Sequence, residues 1–285
     1  MKRSDFRLLD RLRVRWAEVD MQKIVFNGHY LMYFDTAVAA YWRALAMPYE
    51  STLAQWQGDL FVRKATVEYE GSARYDDLCE VGIRCAGVGN TSIRFDAALF
   101  RGEQRLVHGE LIYVFADAVS LDPRPVPDAL RQALQAFEAG QPMAEVQVGD
   151  WARLGPAARS IRHAVFVQEQ GIPAALEQDA ADFGAVHAVA TNRFGQPLAT
   201  GRLLQRSPGV AQVGRLAVLQ AVRGSRLGRQ VLQALIEAAR ERGDHELMLH
   251  SQSSATGFYL AQGFRQRGPA FEEAGIEHVE LFLVL

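Results

Sequence analysis

The chain has 285 residues, 49% hydrophobic and 22% charged, with a formal net charge of −2. That length predicts one large or two ordinary globular domains, and the composition excludes a disordered chain. There is no global basic field to hold nucleic acid, no apolar run approaches the roughly 20 residues that span a bilayer, and residues 1–14 lack a signal-like apolar core, so a cytoplasmic protein with neither partner is expected.

Residues 9–17 read as a strand in which Leu12 and Val14 alternate with charges. Leu31, Phe34, Val38, Tyr41 and Leu45 then recur at spacings of three and four, which predicts an amphipathic helix. Strand patterns follow at 60–69, 78–86, 91–100 and 106–115, punctuated by Gly71-Ser72, Gly87 to Asn90 and Arg101-Gly102. Cys79 and Cys85 share the second of these strands; their spacing fits no metal site, so no metal is expected and both are read as reduced thiols. A long helix followed by antiparallel strands predicts an α+β domain with one helix packed on a curled sheet.

Pro123, Pro125 and Pro127 exclude a central strand or helix interior, a short helix is expected over 129–139, and Gly140-Gln141-Pro142 follows it. The stretch 121–148 is read as the boundary, giving domains 1–140 and 141–285. The second domain has an α/β order. A helix over 157–168 precedes an acidic loop with Glu177, Asp179 and Asp182, and strands follow at 187–191, 198–204 and 212–219. A helix starts near Leu227, carrying Leu227, Val231, Leu235 and Ala238 on one face. A strand at 246–250, a short helix at 255–262 and a strand at 279–285 close the chain.

Two stretches carry chemistry. After the strand at 212–219 comes Arg223-Gly224-Ser225-Arg226-Leu227-Gly228-Arg229, then the helix. Free amides at a helix start form an anion site suited to a pyrophosphate, and Arg223, Arg226 and Arg229 add charge. An ordinary strand-to-helix connection with solvated arginines gives the same pattern. Neither a dinucleotide G-x-G-x-x-G nor a P-loop G-x-x-x-x-G-K-[ST] is present, which disfavours nicotinamide and ATP sites. In the first domain, residues 15–30 gather Asp20, Asn27 and His29 ahead of the first helix. Thioester hydrolysis needs a carboxylate nucleophile or base and N–H donors for the carbonyl oxygen, and both are at hand. An Asp before a helix is also a common N-cap.

Residues 223–228 resemble the acetyl-CoA pyrophosphate loop of the GNAT acyltransferases, Gln/Arg-x-x-Gly-x-Gly/Ala, with Arg226 where the first glycine usually stands, a trait of the ElaA-like branch. The runs 162–170, 257–264 and 275–278 fit that branch in order. The resemblance implies that Leu216, Ala217 and Val218 pair with pantetheine as an added strand would, and that amides from Arg223 through Gly224, Ser225, Arg226, Leu227 and Gly228 to Arg229 hold the pyrophosphate of acetyl-CoA. It also implies that Tyr259 returns a proton to the CoA thiolate; a core aromatic beside Phe258 is the plainer role. Glu169, His187, His250 and His278 are candidate bases toward an amine acceptor.

The first domain is similar to hotdog thioesterases of the 4-hydroxybenzoyl-CoA (YbgC-like) type. Asp20, Val25 and Tyr30 match the signature Asp-x-x-Gly-x-Val-x-x-x-x-Tyr, with Lys23 in the glycine position. Residues 68–78 and 125–128 resemble the family's next strand pair and its closure. That implies an acyl-CoA substrate, Asp20 as nucleophile or base, Asn27, His29 and Tyr30 as neighbours, and a homodimer or homotetramer through this domain. The reading that joins both resemblances is a bifunctional acyl-CoA-using enzyme. The rival, favoured by Lys23, is a hotdog module that senses acyl-CoA without cleaving it.

Overall fold

A computed structural model describes residues 1–273 and 275–285. The chain divides into two units, Met1–Met143 and Ala144–Leu285.

The first unit is α+β. Its elements are β1 (Leu8–Arg13), α1 (Asn27–Ala44), α2 (Tyr49–Gln55), β2 (Gly58–Tyr69), β3 (Leu78–Val88), β4 (Ser92–Arg101), β5 (Gln104–Asp117) and α3 (Asp128–Glu138). The strands form one antiparallel sheet in the order β1-β3-β4-β5-β2. Helix α1 buries Phe34, Val38 and Tyr41 of the stripe that its periodicity predicts, together with Tyr30, Tyr33 and Ala37, whereas Leu31, expected in that stripe, is 40% exposed. A Cβ at Gly109 on β5 would lie 2.2 Å from the Thr66 carbonyl and 3.1 Å from the Phe34 ring, so glycine is what lets the helix settle onto β5. The α3 residue Glu138 accepts from the buried Tyr41 hydroxyl at 2.6 Å and from the Cys85 amide at 2.8 Å, tying α3 to helix and sheet together. Cys79 and Cys85 are free thiols, pushed by burial up to about 11 and about 12. Strand β1 stops at Arg13, short of the expected end, because a 3₁₀ turn begins at Trp16.

The second unit is α/β. Its elements are β6 (Ala144–Gly149), α4 (Trp151–Arg162) with a π-helical turn at His163–Glu169, α5 (Ala174–Glu177), β7 (Val186–Asn192), β8 (Pro197–Ser207), β9 (Val210–Val218), α6 (Leu227–Arg242), β10 (Glu246–Gln252), α7 (Thr256–Leu260), β11 (Arg265–Glu273) and β12 (Ile276–Val284). The sheet order is β11-β12-β10-β9-β8-β7-β6. Trp151, Leu154, Ala158 and Ile161 of α4 pack with Val189 and Ala217, whereas a Cβ at Gly201 would meet Leu235 and Val231 of α6 and also Leu216. Neighbouring strand residues face opposite ways, so the two helices cover opposite faces. Helix α4 starts ahead of its expected position because the Asp150 side chain accepts from the Arg153 amide at 2.9 Å, and Pro156 lies inside it. Strand β6, inside the stretch read as linker, pairs antiparallel with β7.

Two candidate functional sites

The larger site follows from one topological feature. Strands β9 and β10 pair in parallel only at Val210/Glu246, Ala211/Leu247 and Gln212/Met248, after which no pairing joins them. Beyond that point lies a cavity of about 880 Å³, walled by Gly214 to Val218 on one side and by Leu249, His250, Ser251 and Gln252 on the other. Val218 and Ala217 pair with Ala199 and Thr200 of β8 on their other edge. The β9 edge toward β10 is therefore open for an added strand.

The next turn joins two left-handed residues to an uncapped helix start. Gly224 has φ +87° and Arg226 φ +67°, so both stand in the left-handed region. Arg226 is the N-cap of α6 and makes no side-chain cap, which leaves the first amides of a 16-residue helix unpaired at its positive end. The basic residue in a glycine position adopts the glycine conformation, at a cost of about 1–2 kcal/mol. Gly228 packs closely on β9, where a Cβ would sit 3.2 Å from the Val218 side chain. The Ser225 hydroxyl donates to the Val222 carbonyl and fixes the turn. Leu216, Ala217, Val218, Arg223 and Gly228 line the cavity; Gly224, Ser225, Arg226, Leu227 and Arg229 make up the adjoining turn and helix start. The Arg223 guanidinium forks onto Glu169 at 2.7 Å on each arm and donates to the Val218 carbonyl. Glu169 is held below the usual carboxylate range by that hydrogen bond, so it reads as the anchor of Arg223.

Tyr259 lines the same cavity, its ring packed against Phe258 at 5.0 Å and Phe264 at 5.8 Å. Burial alone pushes its hydroxyl up to about 12. Two of the candidate bases, His250 and His278, line the cavity as well, both against Phe271. His187 does not: it is buried beneath Trp151, its Nε2 on the Asp182 carbonyl at 2.9 Å, and burial lowers its pKa.

The smaller site lies in the first unit. Val19 and Val25 form an antiparallel bridge, and the segment between them turns back on itself, with the Asp20 and Ile24 backbones bonded at 2.9 Å. The Asp20 carboxylate accepts from the Gln22 amide at 2.8 Å. It does not cap α1, whose N-cap is Phe26 with no side-chain bond, so the capping role falls away. Lys23 stands at φ +61°, again the conformation glycine supplies. The feature that favoured a non-cleaving sensor therefore leaves the turn in its glycine form. Tyr30 is buried and accepts from the Ala73 amide at 3.1 Å; Asp20 is among the charges that raise its pKa, after burial, which dominates. Tyr69 donates to the Asn27 carbonyl at 3.2 Å, and His29 lies edge-on to Phe26.

The sequence reading missed Glu18. It is 3% exposed, yet it stays ionised below the ordinary range. Burial opposes this, and hydrogen bonds from the Arg15 amide and the Tyr33 hydroxyl, both 2.7 Å, outweigh it. Glu18 thus pins the Asp20 turn to α1. The only signal in the sequence is a second acid two positions before Asp20.

Residues 143–285 match the family model of an acetyltransferase (GNAT) domain. The uncharacterized N-acetyltransferase YjcF of Bacillus subtilis is 31% identical over 122 residues, which make up 42% of this chain and 86% of that protein. This chain belongs to the GNAT acetyltransferases. Ahead of the GNAT domain, residues 22–108 match the thioesterase superfamily. The acyl-CoA thioester hydrolase YbgC of Escherichia coli O157:H7 is 26% identical over 120 residues, 42% of this chain and 89% of that protein. The protein is a fusion of a hotdog-type thioesterase domain with a GNAT domain, both from acyl-CoA-using families. Among the described residues no helix is long and apolar enough to cross a membrane, and no cluster of metal-ligand type occurs.

Proposed function

We propose that the GNAT domain transfers an acyl group, in the simplest case acetyl, from CoA to an amine, and that the hotdog domain hydrolyses acyl-CoA thioesters. The parting of β9 from β10 carries the first half of this reading. It leaves an open strand edge, a cavity and an uncapped helix start in one line. Pantetheine is then held as an added strand by Leu216, Ala217 and Val218, and the pyrophosphate by amides of the 223–229 turn. The amine nitrogen attacks the thioester carbonyl carbon, the C–S bond breaks, and the sulfur takes the Tyr259 proton. The amine gives up its own proton to His250, His278 or solvent, and Tyr259 is reprotonated from water.

In the hotdog domain Asp20 acts as nucleophile or as base toward water, with the uncapped start of α1 facing the carbonyl oxygen that gains charge. Asn27, His29 and Tyr30 shape that pocket. Strand β2 is a sheet edge of 12 residues with Phe61, Val62 and Tyr69 39%, 54% and 53% exposed. Such an edge is costly to leave open, which supports a homodimer, or a homotetramer built from it, through this domain.

Thiol release from a panel of acyl-CoAs tests the hydrolase half: wild type should turn over at least one, and Asp20→Asn should abolish it. Turnover that survives Asp20→Asn, or none with any chain, would refute it. Calorimetric binding of acetyl-CoA tests the transferase half, and no binding would refute that.

A further inference from the structure

Buried charges are tolerated only where their hydrogen bonds are met. A cluster beside the GNAT cavity can be checked donor by donor. It contains Arg162, Arg202 and Arg215 with Glu177, Asp179 and Asp182, formally neutral. Arg162 commits four of its five N–H groups: it bonds Glu177 through Nε, forks onto Asp182 at 2.8 and 3.0 Å, and reaches the Glu177 carbonyl at 2.7 Å. Arg202 forks onto Asp179 at 2.6 and 3.0 Å and shares Asp182 at 2.8 Å. These two cations engage all three carboxylates.

Arg215 receives what is left. It donates to the Glu177 and Leu176 carbonyls at 3.1 Å each and makes a 3.3 Å contact with Asp179, which Arg202 already holds. Its Nη1 has no partner among the described residues. Arg202, 6% exposed, has a buried Nε that also lacks one. Both side chains line the cavity. The backbone sets this placement: β9 bulges between Gly214 and Ala217, and Arg215 stands at φ +53°, in the left-handed region that favours glycine. Burial, and then the neighbouring Arg202, disfavour the charge on Arg215. The buried Arg202 Nε and the part-exposed Arg215 Nη1 are therefore left without a protein acceptor beside the cavity, which Glu177 and Asp179 also line.

We propose that Arg215, backed by Arg202, receives a carboxylate carried by one of the two substrates of the transfer. The carboxylate is either the far end of a dicarboxylic acyl group on CoA or the carboxylate of an amino-acid-like acceptor. This rests on reading the cavity as an acyl-transfer site. The phosphates of CoA have their own place at the start of α6, and a guanidinium that offers unshared N–H groups beside a second arginine suits a planar anion.

Calorimetry on the whole chain tests it in two arms. The donor arm compares succinyl-CoA with acetyl-CoA. The acceptor arm titrates N-acetylated glycine, alanine and glutamate, and their carboxamides, into CoA-saturated protein. In one arm the carboxylate should bind about 10–100-fold more tightly than its uncharged counterpart, the range of a charge-assisted hydrogen bond. That preference should fall to near unity in Arg215→Met and be only partly retained in Arg215→Lys, which keeps the charge without the planar fork. Whichever arm responds identifies the source. Ratios near unity in both arms of the wild type, or a preference that persists in an Arg215→Met protein still binding acetyl-CoA, would overturn the subsite. If the wild type fails to bind acetyl-CoA at all, the acyl-transfer reading falls and this inference falls with it; binding without a carboxylate preference removes only the subsite.

Discussion

Replacing Tyr259 by phenylalanine removes one hydroxyl and leaves the ring wedged between Phe258 and Phe264. Burial is the sole cause of its raised pKa, so no neighbour loses a bond, and stability should change by less than about 1 kcal/mol. The chemistry should change far more. A phenol at about 12 stays protonated throughout the neutral range and is ready to donate. A thiolate whose conjugate acid lies at about 8.5 is a weaker base than this phenolate, so the proton transfer is driven by collapse of the tetrahedral intermediate as the C–S bond breaks. A positioned general acid contributes about 10²–10⁴-fold. Tyr259→Phe should lower kcat for CoA release by that factor, leave acetyl-CoA affinity unchanged, and leave the wild type with no loss of rate at alkaline pH below the ionisation of the phenol. A variant with wild-type kcat, or a wild-type rate that falls between neutral pH and mildly alkaline pH through loss of this proton, would refute the reasoning.

Arg223→Glu should weaken acetyl-CoA binding roughly tenfold or more, because it sets a like charge beside Glu169 and reverses the field at the start of α6; calorimetry showing unchanged affinity would contradict this. Glu18→Ala should destabilise the hotdog domain by about 2 kcal/mol, since the Tyr33 hydroxyl loses its buried acceptor, and should abolish thiol release by freeing the Asp20 turn; denaturant unfolding and the thiol assay measure both. His187 should make the GNAT domain acid-sensitive. Its folded pKa is depressed by burial, so the unfolded chain binds a proton that the folded chain refuses, and stability should fall as pH drops through about 6.5. Asp182, depressed by its arginines despite burial, adds a second loss as pH falls below the ordinary carboxylate range near 4; His187→Gln should remove only the first step in a pH series of melting curves.

The elements legible in the sequence are those whose burial is periodic. The stripe through Phe34, Val38 and Tyr41 and the face of Leu227, Val231 and Leu235 both mark helices, because each buries one side. Strand β6 reads as linker because its burial does not alternate at the edge of the sheet: Glu145 and Val148 are exposed, and Val146 and Gln147 are both half-buried. Strand β11 has no counterpart among the elements expected from sequence; its Gly268-Pro269 is accommodated at the opposite edge, where the β11–β12 register slips. The motif residues were visible because backbone chemistry fixes their order. The conformation of Lys23 and Arg226 was not, since only coordinates show that a basic residue holds a left-handed φ. Arg202 and Arg215 were silent for another reason: their partners are 20 to 39 residues away, and no local pattern brings them together.

A crystal grown with CoA tests the central claim most directly. Pantetheine density should run along the open edge of Leu216 to Val218, with the pyrophosphate on the amides between Gly224 and Gly228. An empty turn, or a nucleotide bound elsewhere on this domain, would contradict it.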